Sequence, residues 1–228
     1  MHLLAIDSST DRLVLALLTP DGLFTWHSVT ARQHGELLVT EVPRLLQSHG
    51  IALQDLHGIA LGQGPGSFTG LRIGAAFVQA LAMAHQLPVV MVDSLLALAM
   101  SSGHDRVIVA IKARMGEIYH AVYWRQNGQW QVLSPPTLFS VTHLPPLEEG
   151  DYAIAGNGWI FFQEELATCY GSSIKTYYDG SIGAESLLAL AQQSFHPDLF
   201  LPPESIIPHY LRSSVALPIC ARMKKKST

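Results

Sequence analysis

The segment at residues 62–74, GQGPGSFTGLRIG, crowds glycines, a proline and a serine directly before an apolar stretch, and we call it the glycine block. Glycine permits positive φ angles and close backbone approach, and proline fixes a turn. Ser67 is placed to cap the following helix, whose first N–H groups could hold an anion. No lysine follows the glycines, so the segment does not match a P-loop. The glycine block therefore predicts either a phosphate contact, through Gly64, Gly66 and Arg72, or a tight strand-to-helix turn.

Asp7 ends the first apolar stretch of the chain and is followed by Ser8 and two further hydroxyl residues. A carboxylate at the end of a strand could handle a metal or a phosphate, and the hydroxyls could donate hydrogen bonds to phosphate oxygens. A hairpin turn capped by small polar residues explains the same pattern. Both interpretations stay open, and the first adds Asp7 and Ser8 to the residues that could contact a nucleotide.

The remaining reactive residue types do not form a recognisable catalytic or metal-binding pattern. The eleven histidines are never three or four residues apart, which is the spacing of helical metal-ligand pairs. Ser67 directly follows a glycine and lacks the order G-x-S-x-G of a nucleophile elbow. Neither Cys169 nor Cys220 belongs to a metal or redox motif. We therefore expect no metal ion and no catalytic residue.

The composition is that of a globular protein with an unusually apolar surface. Of the 228 residues, 48% are hydrophobic and only 14% are charged, so exposed apolar surface and oligomerisation are expected. A formal net charge of −4 gives no overall attraction to nucleic acid, and the basic run at residues 222–226 is typical of a solvated tail. Asp7 interrupts the N-terminal apolar stretch, which excludes a signal peptide. We expect a cytoplasmic protein without membrane contact.

The order of predicted elements indicates an α/β fold that occurs twice. Three short strands precede a helix at residues 34–49, and the next strand leads through the glycine block into a helix at residues 67–85. Alternating strands and helices then indicate parallel strands. A second group of strands follows, with Asn127 and Gly128 marking a hairpin. This repetition predicts two ribonuclease-H-like halves, residues 1–103 with the partner-binding helices and residues 104–228 with the basic tail.

The helix predicted at residues 67–85 is apolar on nearly all sides, whereas a surface helix is normally apolar along one stripe. One side can pack on the sheet, and the rest needs cover from a second domain or from a partner protein. We favour a partner, with the helix at residues 34–49 completing a two-helix platform. The expected partner-binding residues are Leu38, Val42, Leu45, Leu71, Gly74, Ala75 and Val78.

Four segments carry a resemblance to a known family. They are LLAIDSST at residues 3–10, QGPGSFTGLRIG at residues 63–74, ARMGEIY at residues 113–119 and PHYLR at residues 208–212. In this order, and from end to end of the chain, they resemble the TsaB family, also called YeaZ. The resemblance implies the fold of the acetate kinase, sugar kinase, Hsp70 and actin (ASKHA) superfamily.

The resemblance also implies a function without catalysis. Members of the family are accessory subunits that activate TsaD, which transfers a threonylcarbamoyl group to N6 of the adenosine next to the anticodon of tRNAs that read codons starting with A. The implied partners are TsaD in a heterodimer, a second copy of the chain when alone, TsaE, and tRNA through the complex. No cofactor is expected in the isolated chain, although ATP or ADP could bind to the complex.

Two positions bear on the choice between a scaffold and an enzyme. Ser94 and Leu98 stand where TsaD has the two histidines of its metal site, so the metal chemistry should be absent. Lys112 replaces an aspartate that is common in the family, which reverses the charge at that position. The alternative function is a small ATP-dependent phosphotransferase or hydrolase of the same superfamily, supported by Asp7 and the glycine block.

Overall fold

The computed structural model describes residues 1–29 and 33–211 and contains two five-stranded β-sheets. The basic run at residues 222–226 and Cys220 lie outside the described residues. The strands of the first sheet are β1 (Leu3–Asp7), β2 (Arg12–Thr19), β3 (Gly22–Val29), β4 (Gly58–Gly62) and β5 (Val89–Val92). Their order is β3-β2-β1-β4-β5, with β1 to β3 antiparallel and with β4 parallel to β1 and β5.

The second sheet repeats this topology. Its strands are β6 (Arg106–Lys112), β7 (Glu117–Gln126), β8 (Gln129–Ser140), β9 (Tyr152–Ala155) and β10 (Ile174–Tyr178). The order β10-β9-β6-β7-β8 again places the first strand in the middle, with the antiparallel hairpins on one side and the parallel strands on the other. The predicted α/β class and its two ribonuclease-H-like halves are therefore confirmed, as is the hairpin at Asn127 and Gly128.

Two helices, α1 (His34–Gln47) and α2 (Phe68–His85), cover the outer face of the first sheet. The predicted cap of α2 is confirmed, because the Ser67 hydroxyl accepts a hydrogen bond of 3.3 Å from the N–H of Gly70. At its other end, Gln86 adopts the left-handed conformation that terminates many helices. Alternate residues of a strand face one side, so one set from β1 and β2 packs under these helices. This set is Leu4, Ile6, Leu13, Leu15 and Leu17.

One hydrophobic core lies between the two sheets and includes α3 (Ser94–Ser101). Asp93 caps this helix by accepting hydrogen bonds from the N–H groups of Leu95 and Leu96, at 2.8 and 3.2 Å. The second carboxylate oxygen of Asp93 accepts a hydrogen bond of 2.7 Å from the hydroxyl of Tyr123 on β7. The cap of a helix in the first half is therefore tied directly to the second sheet.

The outer face of the second sheet has a smaller cover. It consists of α4 (Gly158–Phe161) and α5 (Gln163–Tyr170), and Leu166 and Tyr170 are the buried side chains of α5. The sequence pattern alone does not predict α5 or β10. Both are short, and their mixed polar and apolar residues form no clear helical or strand period.

The last helix, α6 (Ala184–Ser194), returns to the first half of the molecule. It packs on β1, β2 and β5 of the first sheet and on α3. The predicted boundary between residues 1–103 and 104–228 therefore divides the two sheets, whereas the cover of the first sheet includes a helix from the second range. None of the helices in the described ranges combines the length and the apolar composition that a membrane span requires.

Candidate functional site

The glycine block packs against the turn between β1 and β2. The N–H of Ser67 donates a hydrogen bond of 2.6 Å to the carbonyl oxygen of Ser9, which brings the two backbones into contact. Four glycines lie so close to Asp7, Ser8 or Ser9 that an added Cβ would overlap their atoms. These glycines are Gly62, Gly66, Gly70 and Gly74. Close packing thus explains why the block needs glycine, and a ligand is not required.

Asp7 is completely buried and fully hydrogen-bonded within the protein. Its Oδ1 accepts hydrogen bonds from the N–H and the hydroxyl of Ser9, at 2.8 and 2.7 Å, and its Oδ2 accepts one of 2.6 Å from Ser94. Burial raises the pKa of Asp7, while the hydrogen bonds from Ser94 and Ser9 act to lower it. Ser8 is equally buried and donates to the carbonyl oxygen of Gly70 at 2.9 Å. The structure corrects the assignment of Asp7 and Ser8 as phosphate-contacting residues, because neither reaches a binding surface.

The other residues proposed for a phosphate contact are Gly64, Gly66 and Arg72. Gly64 is buried, with a φ of +87° that favours glycine. Arg72 stacks on Phe68, with its guanidinium carbon 3.8 Å from the ring centroid, and its Nε donates a hydrogen bond of 3.2 Å to the hydroxyl of Tyr210. These contacts account for the position of the Arg72 side chain, and no bound anion is needed to explain it. Of the predicted set, Gly66 lines the cleft described next.

A cleft of about 380 Å³ lies between the two halves. The N-terminal turn of α2 forms one wall, and Lys112 and Arg114, at the end of β6 and in the following turn, form part of the other. The N–H of Lys112 donates a hydrogen bond of 2.9 Å to Asn157, and its ammonium lies 3.5 Å from the ring centroid of Phe161. Most of this lining could not be predicted from the sequence, because the residues come from distant segments. Its hydroxyl-bearing residues are Ser9, Thr10, Ser67, Thr69, Tyr119 and Tyr210.

The residues predicted to bind a partner are buried within the first half itself. They face the sheet from α1 and α2, and their side chains belong to the protein's own core or its edge. The apolar stripe of an amphipathic helix normally faces its own sheet, and the prediction assigned that stripe to the partner. The residues affected by this correction are Leu38, Val42, Leu45, Leu71, Gly74, Ala75 and Val78.

Other residues of the same helices form an exposed apolar surface. Val39 of α1 is 63% exposed and Met83 of α2 is 71% exposed, and Ala76 and Ala80 are also exposed. We call these four residues the helical surface. Both helices lead back from the ends of parallel strands, so they run in the same direction, and Gly35 lies next to Ile73. Val39, one turn after Gly35, is therefore placed beside the middle of α2.

The positions compared with the metal pair of TsaD have other roles here. Ser94 is buried, donates to Asp7 and accepts a hydrogen bond of 3.0 Å from the N–H of Gly64. Leu98 is buried in the core between the sheets. Among the residues that the structure describes, no three His, Cys, Asp or Glu side chains lie close enough to hold a metal ion.

Known proteins similar to this chain agree with the resemblance noted in the sequence. A family model described as "TsaD: tRNA N6-adenosine threonylcarbamoyltransferase" matches residues 27–197. The tRNA threonylcarbamoyladenosine biosynthesis protein TsaB of Escherichia coli is 35% identical over 95% of this chain and 96% of its own length. The chain belongs to the TsaB family. The TsaB protein of Haemophilus influenzae is 30% identical over 94% of this chain and 95% of its own length.

A solved structure confirms the fold expected for a TsaB protein. YeaZ from Pseudomonas aeruginosa superposes with a TM-score of 0.80 and 33% sequence identity, covering 92% of this chain and 99% of the other. The agreement extends over both halves, so this chain and that protein share the two-sheet architecture.

Proposed function

We propose that this TsaB-family chain is an accessory subunit that binds and activates a TsaD-type threonylcarbamoyltransferase acting on tRNA. The observation that carries the proposal is the helical surface. A fully polar exposed face is usual for the covering helices of a soluble domain, whereas α1 and α2 expose Val39, Ala76, Ala80 and Met83 beside polar residues such as Glu36 and Arg72. Exposed apolar residues on two adjacent helices are typical of protein–protein interfaces.

The interior of the first half supports a role without catalysis. The Asp7 carboxylate is enclosed and hydrogen-bonded by Ser9 and Ser94, so it is used for structure. Ser94 and Leu98 also take the positions of the two metal-binding histidines of TsaD. We infer that the transferase subunit supplies the reactive groups and that this chain supplies a surface.

The same proposal assigns the remaining partners. A heterodimer with TsaD forms through the helical surface, and in its absence two copies of this chain pair through the same residues. TsaE joins the assembled complex, and tRNA is reached through the complex because the net charge of −4 gives this chain little attraction for it. These steps take place in the cytoplasm, where tRNA is modified.

A heterodimer titration tests the helical surface. Burying a side chain such as Val39 or Met83 contributes about 1.5–3 kcal/mol, so replacing either one with glutamate should weaken binding of purified TsaD by at least about tenfold. Val132→Glu is the matched control, because Val132 is 54% exposed but lies on β8 of the second half. Unchanged affinity in both helical variants would refute the assignment of this surface.

The alternative is an ATP-dependent phosphotransferase or hydrolase, and the cleft between the halves is the observation that favours it. Its lining includes the start of α2, Lys112 and Arg114, which could bind the phosphates of ATP or ADP. Asp7 does not reach this cleft, which removes the carboxylate expected to handle a metal. Calorimetry with ATP and Mg²⁺ should detect no binding or turnover by the isolated chain; tight binding with phosphate release would favour the enzyme.

A further inference from the structure

The chain returns to α2 after its last helix, through residues 206–211, which we call the strap. Its side chains alternate between buried and exposed positions at first, as in an extended strand: Ile206 and Pro208 are buried, whereas Ile207 and His209 are exposed. Ile206 joins the core beneath α1 and α2. One face of the strap therefore packs on the first half, and the other face is presented to the outside.

Hydrogen bonds hold the strap along the side of α2. The Gln79 side chain donates to the carbonyl oxygen of Ile206 at 3.2 Å, and Arg72 donates to the hydroxyl of Tyr210 at the same distance. The two helix residues are about two turns apart, or roughly 10 Å, and the five residues from Ile206 to Tyr210 span that length in the opposite direction. Ala76 lies between the two anchor points, and its exposed side belongs to the helical surface.

Ile207 follows the first anchor point and is 67% exposed. The buried neighbours Ile206 and Pro208 fix its backbone, and proline also restricts the residue before it. An apolar side chain that is held in place before binding loses little conformational entropy when a partner covers it. The strap therefore presents Ile207 beside α2 as a preorganised contact.

We propose that the strap is a third element of the docking surface, with Ile207 contacting the same subunit that binds the helical surface. This inference rests on the proposed function, because it assigns the same occupant. Continuity supports that choice: α1 covers one side of α2 and the strap covers the other, so a partner that spans Ala76 and Ala80 meets Ile207 at the edge. An apolar helix of the transferase subunit fits a surface of this composition.

A titration of purified TsaD with full-length variants tests the strap. Ile207→Glu should weaken binding at least tenfold, and Ile207→Ser should weaken it about threefold to fivefold, because it removes apolar area without adding a charge. Leu199→Glu is the matched control, since Leu199 is 54% exposed and precedes the strap. It should bind within twofold of the wild type, and all variants should keep the wild-type melting temperature.

Met83→Glu, measured in the same titration, separates the two proposals. If Met83→Glu weakens binding while both Ile207 variants bind like the wild type, the strap is not part of the interface and the helical surface stands. If neither Met83→Glu nor the Ile207 variants change the affinity, the docking surface itself is wrong. Equal weakening of binding by Leu199→Glu and Ile207→Glu would also overturn the proposal for the strap, because the added charge alone would then explain the effect.

Discussion

The two halves of the molecule share one sheet topology but differ in the helices that cover their outer faces. In the first half, α1 and α2 have 14 and 18 residues, and they expose apolar side chains such as Val39 and Met83. In the second half, α5 has eight residues and exposes Glu164, Glu165 and Thr168, whereas the four-residue α4 exposes the apolar Ile160 and Phe161. Exposed apolar side chains thus occur on both covers, but in the first half they lie on two long, adjacent helices and in the second on one short helix. The broader surface of the first half is the one that we propose as the interface.

The connection from the fourth strand to the next helix shows what the two halves do share. In the first half, Gly66 and Gly70 approach the carbonyl groups that follow β1, and in the second, Gly156 and Gly158 approach the carbonyl of Ala110 on β6. A side chain fits at none of these glycines. The same packing feature therefore occurs in both halves, and the glycine block is its longer version. This packing role is independent of the exposed surface of α1 and α2.

Replacing Gly70 is expected to have the largest effect on stability. A valine there would overlap the carbonyl oxygen of Ser8, and overpacking of this kind costs about 3 kcal/mol or more when backbone must move. Gly35→Ala on α1 is the control, because its added Cβ meets only Ile73 at 3.7 Å and alanine favours the helix. Chemical denaturation should show severe loss for Gly70→Val and little change or a gain for Gly35→Ala. Equal stability of the two variants would contradict the packing role.

The second half should carry a pH-dependent contribution to stability at His120. This side chain is buried, with Nε2 at 3.3 Å from the hydroxyl of Tyr170, and burial lowers its pKa to about 4 from an ordinary value of 6.5. The unfolded chain therefore binds a proton more readily than the folded one. Stability is fully present above pH 6.5 and falls as the pH drops toward 4, by roughly 3 kcal/mol.

His120→Phe removes this titration and tests it. Urea denaturation from pH 7 to pH 4 should show a shallower loss of stability for the variant than for the wild type. The same replacement at the exposed His143 should leave the wild-type pH profile in place. Parallel profiles for His120→Phe and the wild type would show that His120 does not control acid stability.

The cap of α2 is expected to have the smallest effect. Ser67→Ala removes the hydroxyl that accepts the N–H of Gly70, at a cost of about 1 kcal/mol. Thr69→Ala, an exposed change in the same turn, should cost less than about 0.5 kcal/mol. Thermal unfolding resolves the difference. A Ser67→Ala protein as stable as Thr69→Ala would mean that close packing of the glycine block, and not the cap, fixes the start of α2.

The sequence was sufficient for features that depend on neighbouring residues. Glycine, proline and Ser67 predict the turn and the cap of α2, and the repeated order of elements predicts the two halves. The buried face of α2 could not be assigned, because a helix that is apolar on nearly all sides shows no apolar periodicity that distinguishes one face from another. Long-range contacts were also inaccessible: Ser94 meets Asp7 across 87 residues of chain, and the strap reaches α2 across more than 100.

If the exterior of the first half activates the transferase, the effect should appear in the reaction itself. It is tested most directly by threonylcarbamoyl transfer to tRNA with purified TsaD, TsaE and either the wild-type chain or the double variant Val39→Glu/Met83→Glu. With Val132→Glu as the folded control, transfer should fall to the level seen without this chain for the double variant and stay at the wild-type level for the control. Full activation by a folded double variant would contradict it.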